Sequence, residues 1–155
     1  MAALLAVDLG LRTGLALYGS DGRLAWYRSH HFGSAAQLRQ GVPSILDSAP
    51  QLSAIALEGG GNLAEIWIRA AERRNLRVIQ TAAETWRAGL LYERERRSAE
   101  QAKQNAGDLA RRVIAWAGAP RPTALRHDTA EAILLGLWAV VELGWLERIP
   151  PDIRR

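Results

Sequence analysis

The sequence predicts an α/β fold: a five-stranded mixed sheet of order 3-2-1-4-5 with helices on both faces. Three observations carry that expectation. The continuous apolar runs Leu4–Asp8 and Ser53–Glu58 each end in an acid and read as buried strands. Asp21-Gly22 is a hairpin signal between a second strand, Leu15–Tyr18, and a third around Leu24–Ser29. Beyond Pro50, strand-length runs alternate with segments of helical period. An antiparallel opening followed by β-α units makes a mixed sheet, and crossovers place the fourth strand beside the first.

The elements follow in order. Gly10, Gly14 and the pair Arg12-Thr13 read as a tight turn after the first strand. Ser34–Leu46 reads as a short helix with Leu38, Val42, Ile45 and Leu46 on one side, limited by Pro43 and Pro50. Gly59-Gly60-Gly61 forms a loop after the fourth strand. Asn62 is then expected to cap a helix whose Leu63, Ile66, Trp67 and Ala70 share a face. Arg77–Gln80 is the fifth strand, and Ala83–Leu90 is helical. Ser98-Ala99-Glu100-Gln101 is a capping box opening a helix to about Gly118, beyond which Pro120 and Pro122 break the chain. A last helix runs from about Asp128 to Trp145, with Ala130, Ile133, Leu134, Leu137, Trp138, Val141 and Trp145 on its apolar side.

Length and composition bound the function. A chain of 155 residues, 48% hydrophobic, is expected to form one domain over 1–155 with a substantial core. The lack of cysteine excludes disulfides, thiolate zinc sites and cysteine nucleophiles, and fits a cytoplasmic protein. The longest strongly apolar run, Ala132 to Val141, is about half the length of a membrane span, so no membrane role is expected. The N-terminus lacks the basic start of a signal peptide and carries Asp8 where an apolar core should continue.

The net charge is +4, and residues 86–126 hold nine basic against four acidic residues. Arg87, Arg94, Arg96, Arg97, Lys103, Arg111 and Arg112 lie there and are candidate nucleic-acid contacts. A solvated helical face of mixed charge would read the same way.

The acids carry the sharper signal. A carboxylate ending a buried strand is costly unless paired or bound to a metal. Asp8 and Glu58 both stand there, on strands expected to be neighbours, and a divalent cation relieves the repulsion of two such groups. The plainer alternatives are a turn-forming Asp before Gly10 and an exposed strand end. Asp128 and Glu131 are spaced to share a face at the start of the last helix, where a capping box would also explain them.

Three segments together carry a family resemblance. Leu4-Leu5-Ala6-Val7-Asp8-Leu9-Gly10 with Thr13-Gly14-Leu15-Ala16 resembles the first strand pair of the RuvC-like Holliday-junction resolvases, in the RNase H-like superfamily. Ala54-Ile55-Ala56-Leu57-Glu58 resembles that family's fourth strand, and Asp128-Thr129-Ala130-Glu131-Ala132-Ile133 its final-helix motif. Order and spacing match over nearly the whole chain.

The resemblance implies a metal-dependent endonuclease that resolves four-way DNA junctions by paired symmetric nicks. Asp8, Glu58, Asp128 and Glu131 would be catalytic and hold two Mg²⁺ ions, with Mn²⁺ as a substitute; oxygen-only ligation suits both. His127 is an alternative ligand. Lys103, the only lysine, would serve catalysis beside the scissile phosphate, as a lysine early in the family's penultimate helix does. Branched DNA and a second copy of the chain would be the partners, two symmetric cuts needing a homodimer.

Two departures bear on substrate. Glu131 stands where the family commonly has Asp. Gly59-Gly60-Gly61 stands where an aromatic often probes the junction; Trp67 could substitute, although a Trp on an apolar helix side is usually core. The alternatives are a RuvX/YqgF-type nuclease acting on ribosomal RNA precursors, a phage-type nuclease that debranches DNA, and a non-catalytic nucleic-acid-binding module of the same fold.

Overall fold

A computed structural model describes residues 2–90 and 99–153. The elements are β1 (Ala3–Asp8), β2 (Arg12–Gly19), β3 (Leu24–His31), α1 (Ala35–Asp47), β4 (Leu52–Glu58), α2 (Gly61–Glu72), β5 (Arg77–Thr81), α3 (Ala83–Leu90), α4 (Ala99–Ala117) and α5 (His127–Glu142). The strands form one sheet in the order β3-β2-β1-β4-β5, as expected. β1 runs antiparallel to β2 and parallel to β4. None of the described helices is long and apolar enough to cross a membrane.

Strand periodicity separates two cores. Leu5, Val7, Ile55 and Leu57 face one side and pack with Leu38, Val42, Trp67 and Ala71 of α1 and α2. Leu4, Ala6, Ala54 and Ala56 face the other and pack with α3, α4 and α5. The small residues on this second face let α5 lie close. Gly136 is the contact point, since a Cβ there would stand 2.2 Å from the Tyr18 ring. The Tyr18 hydroxyl donates to the Ile133 carbonyl, which satisfies the one polar group of a fully buried ring.

Four expectations need correction. Pro43 does not limit α1 but lies inside it, while the span Ala35–Asp47 agrees with the expected one to within a residue. Burial of Val42, Ile45 and Leu46 carries the helix through despite the missing backbone donor. Asn62 does not cap α2; the glycine run turns the chain straight from strand to helix, with Gly60 at the N-cap. The last helix ends at Glu142 rather than Trp145, its end closed by the Trp145 N–H donating to the Val140 carbonyl. It is also buried nearly all round rather than along one stripe, because it lies between the sheet and α4. The capping box expected at Ser98 lies outside the described residues.

One cap follows its sequence closely. Ser34 precedes α1, and its Oγ accepts from the Gln37 N–H at 3.2 Å. The Gln37 side chain accepts in turn from the Gly33 N–H at 2.6 Å. Ser34→Ala is expected to cost about 1 kcal/mol in urea denaturation, with the slope unchanged. A loss below a few tenths would show that the cap is not stabilising.

Candidate active site

The sheet register builds the site. Asp8 of β1 is paired with Glu58 of β4, and the same cross-sheet row continues through Gly14 of β2 and Ser29 of β3. Asp8 follows Leu4 and Ala6 by strand parity, and Glu58 follows Ala54 and Ala56. Both carboxylates therefore leave their strands on the α5 side. Neither strand continues past its acid.

The α5 N-terminus brings the second pair of acids to that row. Gly14 permits this, for a Cβ there would stand 2.0 Å from the Asp128 carbonyl oxygen and 2.9 Å from the Thr129 nitrogen. No side chain fits between strand and helix. Asp128 is then fixed from two sides: Ser29 Oγ donates to its Oδ2 at 2.8 Å, and the Thr129 N–H donates to its Oδ1 at 2.7 Å.

The capping-box alternative for Asp128 and Glu131 does not hold. The N-cap is Arg126, whose side chain caps nothing, and Asp128 is already inside the first turn. Glu131 is 3% exposed, and its Oε1 pairs with Arg87 Nη2 and, at 3.1 Å, with His127 Nε2. Its Oε2 is buried with no hydrogen-bond partner. A sealed carboxylate with an idle oxygen is the group most in want of a cation here.

The electrostatics agree. Burial, then the charges of Glu58, Glu131 and Asp128, push the Asp8 carboxyl up to about 8, against a pull from Arg87. Burial also raises Glu58, opposed by the Trp86 indole N–H donating to its Oε2 at 2.9 Å. Glu131 is raised by burial and pulled back by Arg87 and Lys103. His127 is lowered by partial burial and by the charges of Lys103 and Arg87, against Asp128 and Glu58. Lys103 thus lies within electrostatic reach of the cluster, on the exposed side of α4.

The donor set suits a hard divalent cation: carboxylate oxygens, one of them buried and idle, around an Asp that is hard to ionise alone. Among the described residues, no three acids or histidines are close enough to hold a common ion. The expected basic residues divide. Arg87 turns inward onto Glu131. Arg111 lines a depression near the end of α4 with Arg121 and Pro122, away from the acids. Arg112 donates to the Ile153 carbonyl at 3.1 Å and so joins α4 to the segment after α5. Arg94, Arg96 and Arg97 lie outside the described residues. Trp67 is sealed beneath α2 and is not offered to any substrate.

Ser29 and Trp86 were not legible as site residues. Ser29 depends on the β2–β3 register, and Trp86 has the composition of an ordinary core residue.

No family model matches the sequence, and no curated protein sequence matches it significantly. The structure of T. thermophilus RuvC in complex with Holliday junction substrate aligns at a TM-score of 0.65 and 16% identity, over 93% of this chain and 96% of that one. The catalytic core domain of BIV integrase aligns at a TM-score of 0.35 and 12% identity, over 88% of this chain and 80% of that one. The catalytic domain of Mos1 mariner transposase aligns at 0.34 and 12%, over 91% and 78%. The two lower scores carry no structural equivalence. Sheet order and the alignment over nearly the whole chain agree: the protein has a RuvC-like, RNase H-like fold.

Proposed function

We propose that the protein is a metal-dependent endonuclease acting on branched DNA, and that it resolves four-way junctions by paired nicks. The observation that carries this reading is the pairing of Asp8 with Glu58 at two adjacent strand ends, with Asp128 and Glu131 brought within electrostatic reach of Asp8 by α5. Asp8, Glu58, Asp128 and Glu131 would hold divalent ions, Mg²⁺ or Mn²⁺, two per site. Such ions supply Lewis-acid stabilisation of a phosphoryl transition state and a nucleophilic water at neutral pH.

The chain's own residues have separate tasks. Asp8 and Glu58 face one substrate phosphate from the sheet, and Asp128 and Glu131 from the helix. Ser29 orients Asp128, and Trp86 orients Glu58 through its indole N–H. Lys103, exposed on α4, would offer a cation to a phosphate oxygen. His127, whose proton is held weakly, is a second oxygen-facing donor beside Glu131. Among the described residues no three of these groups are close enough to hold a common ion, so the four acids would have to move closer together to hold one. Two copies of the chain would present two such sites to a symmetric junction, with the α2 face as the proposed interface.

A substrate panel tests the reading. The protein is incubated with a four-way junction, linear duplex, RNA–DNA hybrid and structured RNA, in Mg²⁺, Mn²⁺ or EDTA. The junction is expected to be nicked in both metals and in neither EDTA arm nor the Asp8→Asn arm. Absence of metal-dependent cutting on every substrate overturns the nuclease reading. Cutting of RNA alone moves the substrate to the ribosomal-precursor class.

A further inference from the structure

We propose that Arg87 is the resident counter-ion of the carboxylate cluster, and that a divalent cation enters by displacing its guanidinium from Glu131. The proposal rests on the metal site above and concerns what occupies that site beforehand.

The Arg87–Glu131 pair is built unlike a permanent structural ion pair. An arginine paired with a buried carboxylate frequently uses its planar fork, two parallel N–H bonds onto two oxygens. Here one guanidinium nitrogen meets one oxygen, Glu131 Oε1, which His127 already engages. Glu131 Oε2 and Arg87 Nε are both buried with no hydrogen-bond partner. Each half of the pair therefore keeps an unspent polar group that a fork would have satisfied. An ion that takes both carboxylate oxygens relieves the first, and a guanidinium returned to water relieves the second.

The surroundings leave Arg87 a way out. Its side chain is 27% exposed, against 4% for that of Glu131, so the arginine opens to solvent while the acid cannot follow. The guanidinium carbon lies 5.1 Å from the centre of the buried Trp86 ring. Trp86 is itself bonded to Glu58. Consecutive residues of the short helix α3 thus touch two of the four acids. The positive field of Arg87 also reaches Asp8 and Glu58. The charge of Arg87 then offsets part of the repulsion among the acids, which a divalent ion offsets more fully.

The test is Mn²⁺ binding to the nucleic-acid-free protein, read from the electron paramagnetic resonance of free Mn²⁺. Arg87→Met keeps most of the stem and removes the charge; it is expected to bind Mn²⁺ about tenfold tighter than wild type, from the loss of one nearby positive charge. Arg87→Lys is expected to stay near wild type. In EDTA, Arg87→Met should melt lower, by roughly 5 °C, and Mn²⁺ should restore it. On the wild-type protein, adding Mg²⁺ should expose the Arg87 Nε–H to solvent exchange by nuclear magnetic resonance, a readout that needs no variant to fold. Equal or weaker Mn²⁺ binding by Arg87→Met, or an Arg87 signal unmoved by Mg²⁺, overturns the displacement. Failure of both proteins to bind Mn²⁺ at all overturns the metal site with it.

Discussion

Asp8→Asn is expected to abolish metal-dependent cleavage, by about 10³-fold or more, while making the metal-free protein more stable at pH 8. The two effects have one cause. Asp8 is buried beside Glu58, Glu131 and Asp128, and its carboxyl is pushed up to about 8. Unfolded, the same group ionises near its ordinary value of about 3.9. Between those values the folded chain holds a proton that the unfolded chain has released. Stability contributed by Asp8 is therefore full below about pH 4 and is lost as pH rises towards 8. Water and neighbouring groups relax around the charge, so a loss of about 2 kcal/mol across that window is expected. Asparagine keeps the shape and cannot ionise, so the variant's urea midpoint should depend less on pH and exceed wild type at pH 8. Mn²⁺ should raise the wild-type melting temperature and the variant's much less. A variant that is less stable than wild type at pH 8 in EDTA would sink the claim that the cluster is held together against its own repulsion.

Gly14→Ala is expected to be among the most damaging single-methyl changes in the chain. The added Cβ runs into one backbone peptide of α5: the Asp128 oxygen at 2.0 Å, its carbonyl carbon at 2.3 Å and the Thr129 nitrogen at 2.9 Å. No flexible side chain can yield, so α5 must lift from the sheet or β2 must bend. The expected loss is about 3 kcal/mol or more by urea denaturation. The lift would also carry Asp128 and Glu131 away from Asp8 and Glu58, so any folded fraction should bind Mn²⁺ weakly. Gly107→Ala is the control. It lies in α4 with nothing within 4 Å of an added Cβ, and should gain up to about 1 kcal/mol from helix propensity. Equal stability of the two variants would show that the helix does not sit on the strand at Gly14.

Much of the frame is legible in the sequence. Asp21-Gly22 signals a turn by local chemistry, and it closes with the Gly22 N–H donating to the Gly19 carbonyl at 2.9 Å. The acids at Asp8 and Glu58 stood out because an ionisable group ending an apolar run conflicts with its own neighbourhood. Strand parity then puts both on one face. By contrast, the capping-box reading of Asp128 and Glu131 was locally sound and globally wrong. The pattern was present, but helix α5 starts one residue before Asp128, and Glu131 is drawn to Arg87 and His127. Arg87 was legible only as one cation in a basic segment; nothing in its neighbours marks it as the one that turns inward.

The sequence by itself determined the element order, the neighbouring of β1 and β4, and the carboxylates Asp8 and Glu58, because period, turn chemistry and the cost of a buried charge act over a few residues. Only the tertiary structure decided how those acids are partnered. Gly14 matters through a helix more than a hundred residues away in sequence, Ser29 through the strand register, and Trp86 and Arg87 through the docking of α3. Each of those contacts depends on distance between elements, and local pattern carries no information about which side chains from distant elements come within a few ångströms of a shared charge.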